Sequence, residues 1–363
     1  MSWATISRNA SIWLPGWTRH YIHSVAAEPA IRVWVTFADH FEPCWKGADP
    51  KTAKGRVALW SKKWPEIAER HRDSSGRKPR YTFFFPEEQY HPNLIGPLAE
   101  MSSAGIADVE VHLHHDGEGE DNFVDRIRRF TETLHLRHGL LRELNGRIAF
   151  GFIHGNWALD NSGPDGRWCG LNNEITLLKD LGCYADFTLP SAPWPTQTRM
   201  VNTIYWATDD PDRPKSHDSG QPLLPGAKTT GDLLMIPGPL GFNFRGKGRF
   251  LPRLEIGELA AHDPPVMGRA RSWFRFAPRI GGDVFLKLFT HGAQEQNAAN
   301  LLNGQLNLCL QDLEEECSRS RSELCFATAY ELWAAVQRVS GYCGNQSVIG
   351  LKPSFAGERE PVE

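Results

Sequence analysis

Four apolar runs of this chain each end in a cluster of titratable residues. The first ends in Ala38-Asp39-His40-Phe41-Glu42 and the second in His112-Leu113-His114-His115-Asp116-Gly117-Glu118. The third ends in His154-Gly155-Asn156-Trp157 and the fourth in Thr290-His291-Gly292. Residues two apart on an extended strand point to one side, so His112 and His114 can aim two imidazoles at a single ligand. Zn²⁺ takes His nitrogen and carboxylate oxygen, commonly three protein ligands plus an open position where the site is catalytic, and Asp39 can supply the carboxylate. The expected cofactor is therefore a divalent metal, zinc first. The competing reading makes one of these histidines a hydrogen-bonded core residue, with His112 bracing its neighbours.

His291, at the tip of a buried run, can titrate near neutral pH and protonate a leaving group; alternatively it makes a structural hydrogen bond. His154 and Asn156 can bind substrate or orient catalytic groups, or they cap a turn. Trp157, Trp168 and Trp194 can stack on sugar faces, although most of the 13 Trp belong in a core. Lys215-Ser216-His217 sits in a loop-like stretch and is a lid candidate.

The elements that must position these groups alternate in type. Short runs rich in Val, Ile, Phe and Tyr lie at Ile31 to Phe37, Tyr81 to Phe85, Val109 to His114, Ile148 to Ile153, Tyr184 to Leu189, Leu233 to Ile236 and Val284 to Thr290. Such runs are expected of buried strands. Between them lie helical patterns: Phe123, Ile127, Phe130 and Leu134 form one apolar stripe, and Asn173 to Leu181 is closed by Gly182. Val57, Trp60, Trp64 and Ile67 form another, which Pro65 is expected to kink or break. Two late helices are read around Leu306 to Cys317 and Ala329 to Val336. Strand, helix, strand in this order predicts parallel strands with crossover helices, here a distorted (β/α)7 barrel of α/β class. Active sites of parallel barrels form at the C-terminal strand ends, where the four polar clusters fall. Residues 1–340 read as one domain with a long Pro-, Asp- and Gly-rich loop insertion at about 205–232, and residues 341–363 as an irregular tail.

A formal net charge of -3 gives no sign of a nucleic-acid or anionic-membrane partner. No apolar run approaches the roughly 20 residues of a membrane span. The N-terminal residues lack a basic start leading into an apolar run, so cytoplasmic placement is expected and Asn9-Ala10-Ser11 and Asn345-Gln346-Ser347 are read as chance sequons. The seven Cys are scattered without a C-x-x-C pair, which argues against a disulfide framework and against a cysteine-based zinc site. Oligomeric state is not legible.

In this order the motifs resemble the polysaccharide deacetylases, of the glycoside hydrolase/deacetylase superfamily. Thr36-Phe37-Ala38-Asp39-His40 stands where the family has Thr-Phe-Asp-Asp-Gly, and Thr82-Phe83-Phe84-Phe85-Pro86 is similar to its Thr-Phe-Phe-Val run. Glu110-Val111-His112-Leu113-His114 resembles Glu-(Ile/Val)-Gly-x-His, Leu177 to Asp186 its helix-Gly-strand passage, and Thr290-His291 its late Leu-x-His. The resemblance spans about residues 31–292. It implies metal ligation by Asp39 and His114, with the third position falling on Glu118 in place of the family's His; His112 is the alternative. The family's first Asp, the base, is replaced by Ala38, and its partner Arg has no counterpart in residues 151–156. Asp116, Glu42 or His40 are the substitute bases.

The function this implies is a metal-dependent hydrolase that removes an N-acetyl or O-acyl group from a saccharide, with His291 as the acid. Two rivals stand beside it. One is a glycoside hydrolase on the same scaffold, using Asp39 with Asp116 or Glu118 as a carboxylate pair about 5–9.5 Å apart. The other is a saccharide-binding or assembly protein without catalysis.

Overall fold

A computed structural model describes residues 8–25, 29–226, 229–243 and 253–341. The chain begins with α1 (Ala10–Val25), β1 (Arg32–His40), α2 (Pro50–Ala68), β2 (Tyr81–Pro86), α3 (Pro92–Ser103) and β3 (Ala107–Leu113). There follow α4 (Glu120–His138), β4 (Arg142–Leu144), β5 (Arg147–His154), α5 (Glu174–Leu181) and β6 (Cys183–Asp186). The short strands β7 (Tyr205–Ala207), β8 (Gln221–Pro222), β9 (Leu233–Met235), β10 (Gly241–Asn243) and β11 (Arg253–Glu255) come next. The last part holds α6 (Ala270–Phe276), β12 (Arg279–Ile280), β13 (Asp283–Thr290), α7 (Glu295–Asn300), α8 (Leu306–Ser320), β14 (Glu323–Phe326) and α9 (Ala329–Ser340).

The fold is mixed α/β around one large, mostly parallel sheet. Its hydrogen-bonded order is β12-β13-β1-β2-β3-β5-β6-β9-β7-β8, with β14 beside the first half of β1. The strands from β13 to β9 on this path are parallel, and they are the seven apolar runs of the sequence. The path does not close among the described residues. Lys287 Nζ of β13 donates across the inner face to the carbonyls of Phe187 (2.5 Å) and Leu189 (2.7 Å), just past β6. A parallel bridge also joins Glu258 to Phe289.

The pleat sorts side chains onto two faces. Odd residues of β1 and β3 (Val33, Val35, Phe37; Val109, Val111, Leu113) pack with α2, α3, α4, α5 and α8 in the larger core. Trp34 and Ala38 of β1, with Phe84, Ile153 and Phe285, face inward and pack against α9. This parity decides where each polar strand end points.

Three expectations change. α2 runs on through Pro65 to Ala68, so that proline, in the last turn, removes one amide donor from the ladder without ending the helix. The insertion at 205–232 is a small antiparallel ladder, with β7 between β8 and β9. β14, a short run between two helices, went unread in the sequence. Residues 342–363, most of the expected tail, lie outside the described residues.

Candidate metal centre

β3 brings His112 and His114 to the inner side of its C-terminal end, and the chain past β1 brings Glu42 to meet them. His112 Nδ1 donates to the Ile153 carbonyl at 2.7 Å, which leaves the lone pair on Nε2. That nitrogen is buried without a hydrogen-bond partner and lies 3.6 Å from Glu42 Oε1. His114 Nδ1 lies 2.6 Å from Glu88 Oε1, just after β2, while its Nε2 lies 3.6 Å from the same Glu42 oxygen.

A separation of 3.6 Å is too long for a hydrogen bond. It suits two ligands of one ion: bonds of about 2.0–2.2 Å set tetrahedral edges of roughly 3.3–3.6 Å. The three donor atoms lie within 4.8 Å of one another. Each histidine also has its other ring nitrogen engaged by a backbone carbonyl or a carboxylate, as metal-bound imidazoles normally do. The group of Glu42, His112 and His114 therefore fits a divalent cation.

Burial alone would raise the Glu42 carboxyl, but its contact with His112 and the field of His291 and His114 hold it below the usual range. Burial opposes charge on His114 as well, yet the pair with Glu88 carries its pKa upward. His40, almost wholly buried, is held well below its ordinary value by burial and by His291 and His112 beside it, so it is neutral. Its ring centroid is 5.2 Å from that of His112 and 4.7 Å from that of His291, and its Nε2 has no hydrogen-bond partner. Burial lowers His291 too, with Glu42 and Glu258 opposing. Trp157 leans over this pair, 6.0 Å from His40 and 5.9 Å from His291.

Behind His114 the wall is tight: a Cβ added at Gly155 would collide with the imidazole. Deeper on the inner face, Glu110 accepts from Arg142 (2.8 Å), Tyr184 (2.7 Å) and the Gly151 amide (2.6 Å).

Several expected site residues stand elsewhere. Asp39 is not a ligand: parity turns it to the helix side, where it accepts from the Gly292 amide (2.7 Å) and Tyr81 hydroxyl (3.0 Å). Glu118 is drawn away by an ion pair with Arg126. Asp116 is exposed and accepts from the Trp168 amide at 2.8 Å, a loop brace in place of a base. His154 is fully buried on the helix side and contacts His115 and Glu174, so it cannot touch substrate. Asn156 is exposed in a left-handed turn (φ 54°), and Trp194 is half exposed. His217 is fully buried and Lys215 Nζ donates to the Pro195 and Gln197 carbonyls, an anchored turn and no lid.

Sequence reasoning named Glu42 only as a base and passed over Glu88. The signal for Glu88 was present, since Glu87-Glu88 ends the second apolar run just as the other clusters end theirs. A cavity of about 900 Å³ lies at the opposite, N-terminal end of the strands, against α1, Ile31 and Gly282. It is remote from these histidines, whose chemistry, not the size of that cavity, marks the candidate site. The chain matches no protein-family model, and no curated protein matches it. No helix among the described residues is long and apolar enough to cross a membrane.

Proposed function

We propose that this chain is a metal-dependent hydrolase that removes an acyl group from a saccharide, on a (β/α)7 barrel of the polysaccharide-deacetylase kind with altered ligands. The observation that carries the proposal is the convergence of His112 Nε2, His114 Nε2 and Glu42 Oε1 at the C-terminal ends of parallel strands. A divalent ion held there would supply Lewis acidity, polarising an acyl carbonyl and acidifying water.

The chain's own residues take the remaining tasks. Glu88 and the Ile153 carbonyl hold the two ligand rings in one tautomer and orientation. His40 and His291, both neutral, stand where Ala38 has removed the expected carboxylate base. A neutral imidazole accepts the proton of the attacking water and returns it to the departing amine or alkoxide, and His291, the less enclosed of the two, is assigned that work. Trp157 offers an aromatic face beside them for a sugar ring.

The test is acetate release from a panel of N- and O-acetylated saccharides by zinc-loaded protein. Activity in the wild type that is lost in Glu42→Gln and His114→Ala supports the proposal. Oligosaccharide binding without acetate release, under any metal tried, moves the function to a non-catalytic binding protein.

A further inference from the structure

A second set of donors lies on the other side of the sheet. His115 and His154 have the outward parity of β3 and β5, so they face the helical layer while His112 and His114 face inward. His115 Nε2 lies 2.9 Å from His154 Nε2 and 3.0 Å from Glu174 Oε1, and His154 Nε2 lies 3.4 Å from that oxygen. Cys169 Sγ completes the group, 3.4 Å from Glu174 Oε2. All four residues are buried, and the side chains of His115, His154 and Glu174 are 0% exposed.

We propose that His115, His154, Cys169 and Glu174 form a closed structural metal site for zinc, separate from the centre at the strand ends. Four atoms of N, N, S and O character, all within 4.8 Å of one another, are a complete tetrahedral set for Zn²⁺. Bonds of about 2.0–2.3 Å would set edges of roughly 3.3–3.7 Å; the His154–Glu174 separation of 3.4 Å lies in that range, and the two His115 separations of 2.9 and 3.0 Å would open slightly on binding. His154 Nδ1 is engaged by the Gly155 carbonyl at 2.5 Å, which leaves Nε2 as the donor nitrogen. Full burial leaves no open position, and this separates a structural from a catalytic site. Isolated from an ion, two imidazole nitrogens at 2.9 Å can share only one proton next to a buried carboxylate.

The position gives the ion a task. Its ligands come from the end of β3, the end of β5, the loop before α5 and the first residue of α5. Binding would clip the loop of residues 155–173 to the sheet, and that loop carries Trp157, which covers His40 and His291. His114 precedes His115 directly, so the clip also fixes the backbone from which His114 reaches Glu42.

The assignment does not depend on the catalytic proposal, because the strand-end centre contains no sulfur. The test is cobalt substitution of the full chain, read by thiolate-to-cobalt charge-transfer absorption. The expected result is that band in wild type, in Glu42→Gln and in His112→Ala, with about one equivalent of cobalt lost alongside the band in Cys169→Ser. Cobalt uptake without the band, no uptake at all, or a band that survives Cys169→Ser overturns the site. If Cys169→Ser fails to fold, zinc-edge X-ray absorption of the wild type decides: a sulfur neighbour supports the site, and a shell of nitrogen and oxygen alone overturns it.

Discussion

Glu88 Oε1 lies 2.6 Å from Nδ1 of His114, on the far side of the imidazole from Glu42. This carboxylate fixes the tautomer that leaves Nε2 free for an ion. Removing its charge should weaken metal binding without touching a ligand. Glu88→Gln is predicted to lower zinc affinity at the strand-end site about 10–100-fold, measured by competition with a chromophoric chelator. Unchanged affinity would deny Glu88 this role.

Asp39 gives a prediction of opposite kind. Burial, only partly offset by its hydrogen bonds to Gly292 and Tyr81, raises its carboxyl from 3.8 to about 8. Above about pH 4 the unfolded chain has released this proton while the folded chain keeps it until about pH 8. Its stabilising effect is thus complete below the unfolded pKa and is lost as pH rises through the folded one. Asp39→Asn should keep its metal, and its stability relative to wild type in urea should rise from about pH 5 to about pH 8 and level off above. A flat difference would mean that Asp39 is ionised in the fold.

His291 is placed as the proton carrier, not as a ligand. His291→Ala should lower kcat by about 10²- to 10⁴-fold with full metal content, and the pH–rate profile should lose a limb. Full activity would transfer the task to His40, whose ring lies 4.7 Å away.

Lys287 tests how the sheet holds its curvature. Its ammonium reaches across the inner face to the carbonyls of Phe187 and Leu189. Lys287→Met would strand the Phe187 carbonyl, at a cost of about 1–3 kcal/mol, while the Leu189 carbonyl keeps the Gly238 amide at 2.9 Å. Urea unfolding should show a loss in that range; a loss under about 0.5 kcal/mol would mean the Phe187 carbonyl finds another partner.

Much of the scaffold was legible because its seven parallel strands are short, apolar and punctuated by helical stripes. The pairing of His112 with His114 was legible for a similar reason, since a period of two is a local property. Asp39 was misread because the motif was matched by order along the chain, whereas the pleat sends Phe37, Asp39 and Phe41 outward and Ala38 and His40 inward. The apolar character of Val33, Val35, Phe37 and Phe41 was the signal that Asp39 shares their face. Glu42 joins the histidines only through the turn after β1, and Glu174 reaches His115 across 59 residues. No periodicity records contacts of that range. Cys169 was set aside because cysteine-based zinc sites are sought by paired spacing, and a single thiolate among histidines has none.

The most direct measurement is the metal content of purified, zinc-loaded wild type beside Glu42→Gln, His112→Ala, His114→Ala and Asp39→Asn, each shown to be folded. The first three variants should each hold about one equivalent less than wild type, and Asp39→Asn should match it. Metal lost from Asp39→Asn but retained in Glu42→Gln, or no zinc retained by the wild type, would contradict the centre described for Glu42, His112 and His114.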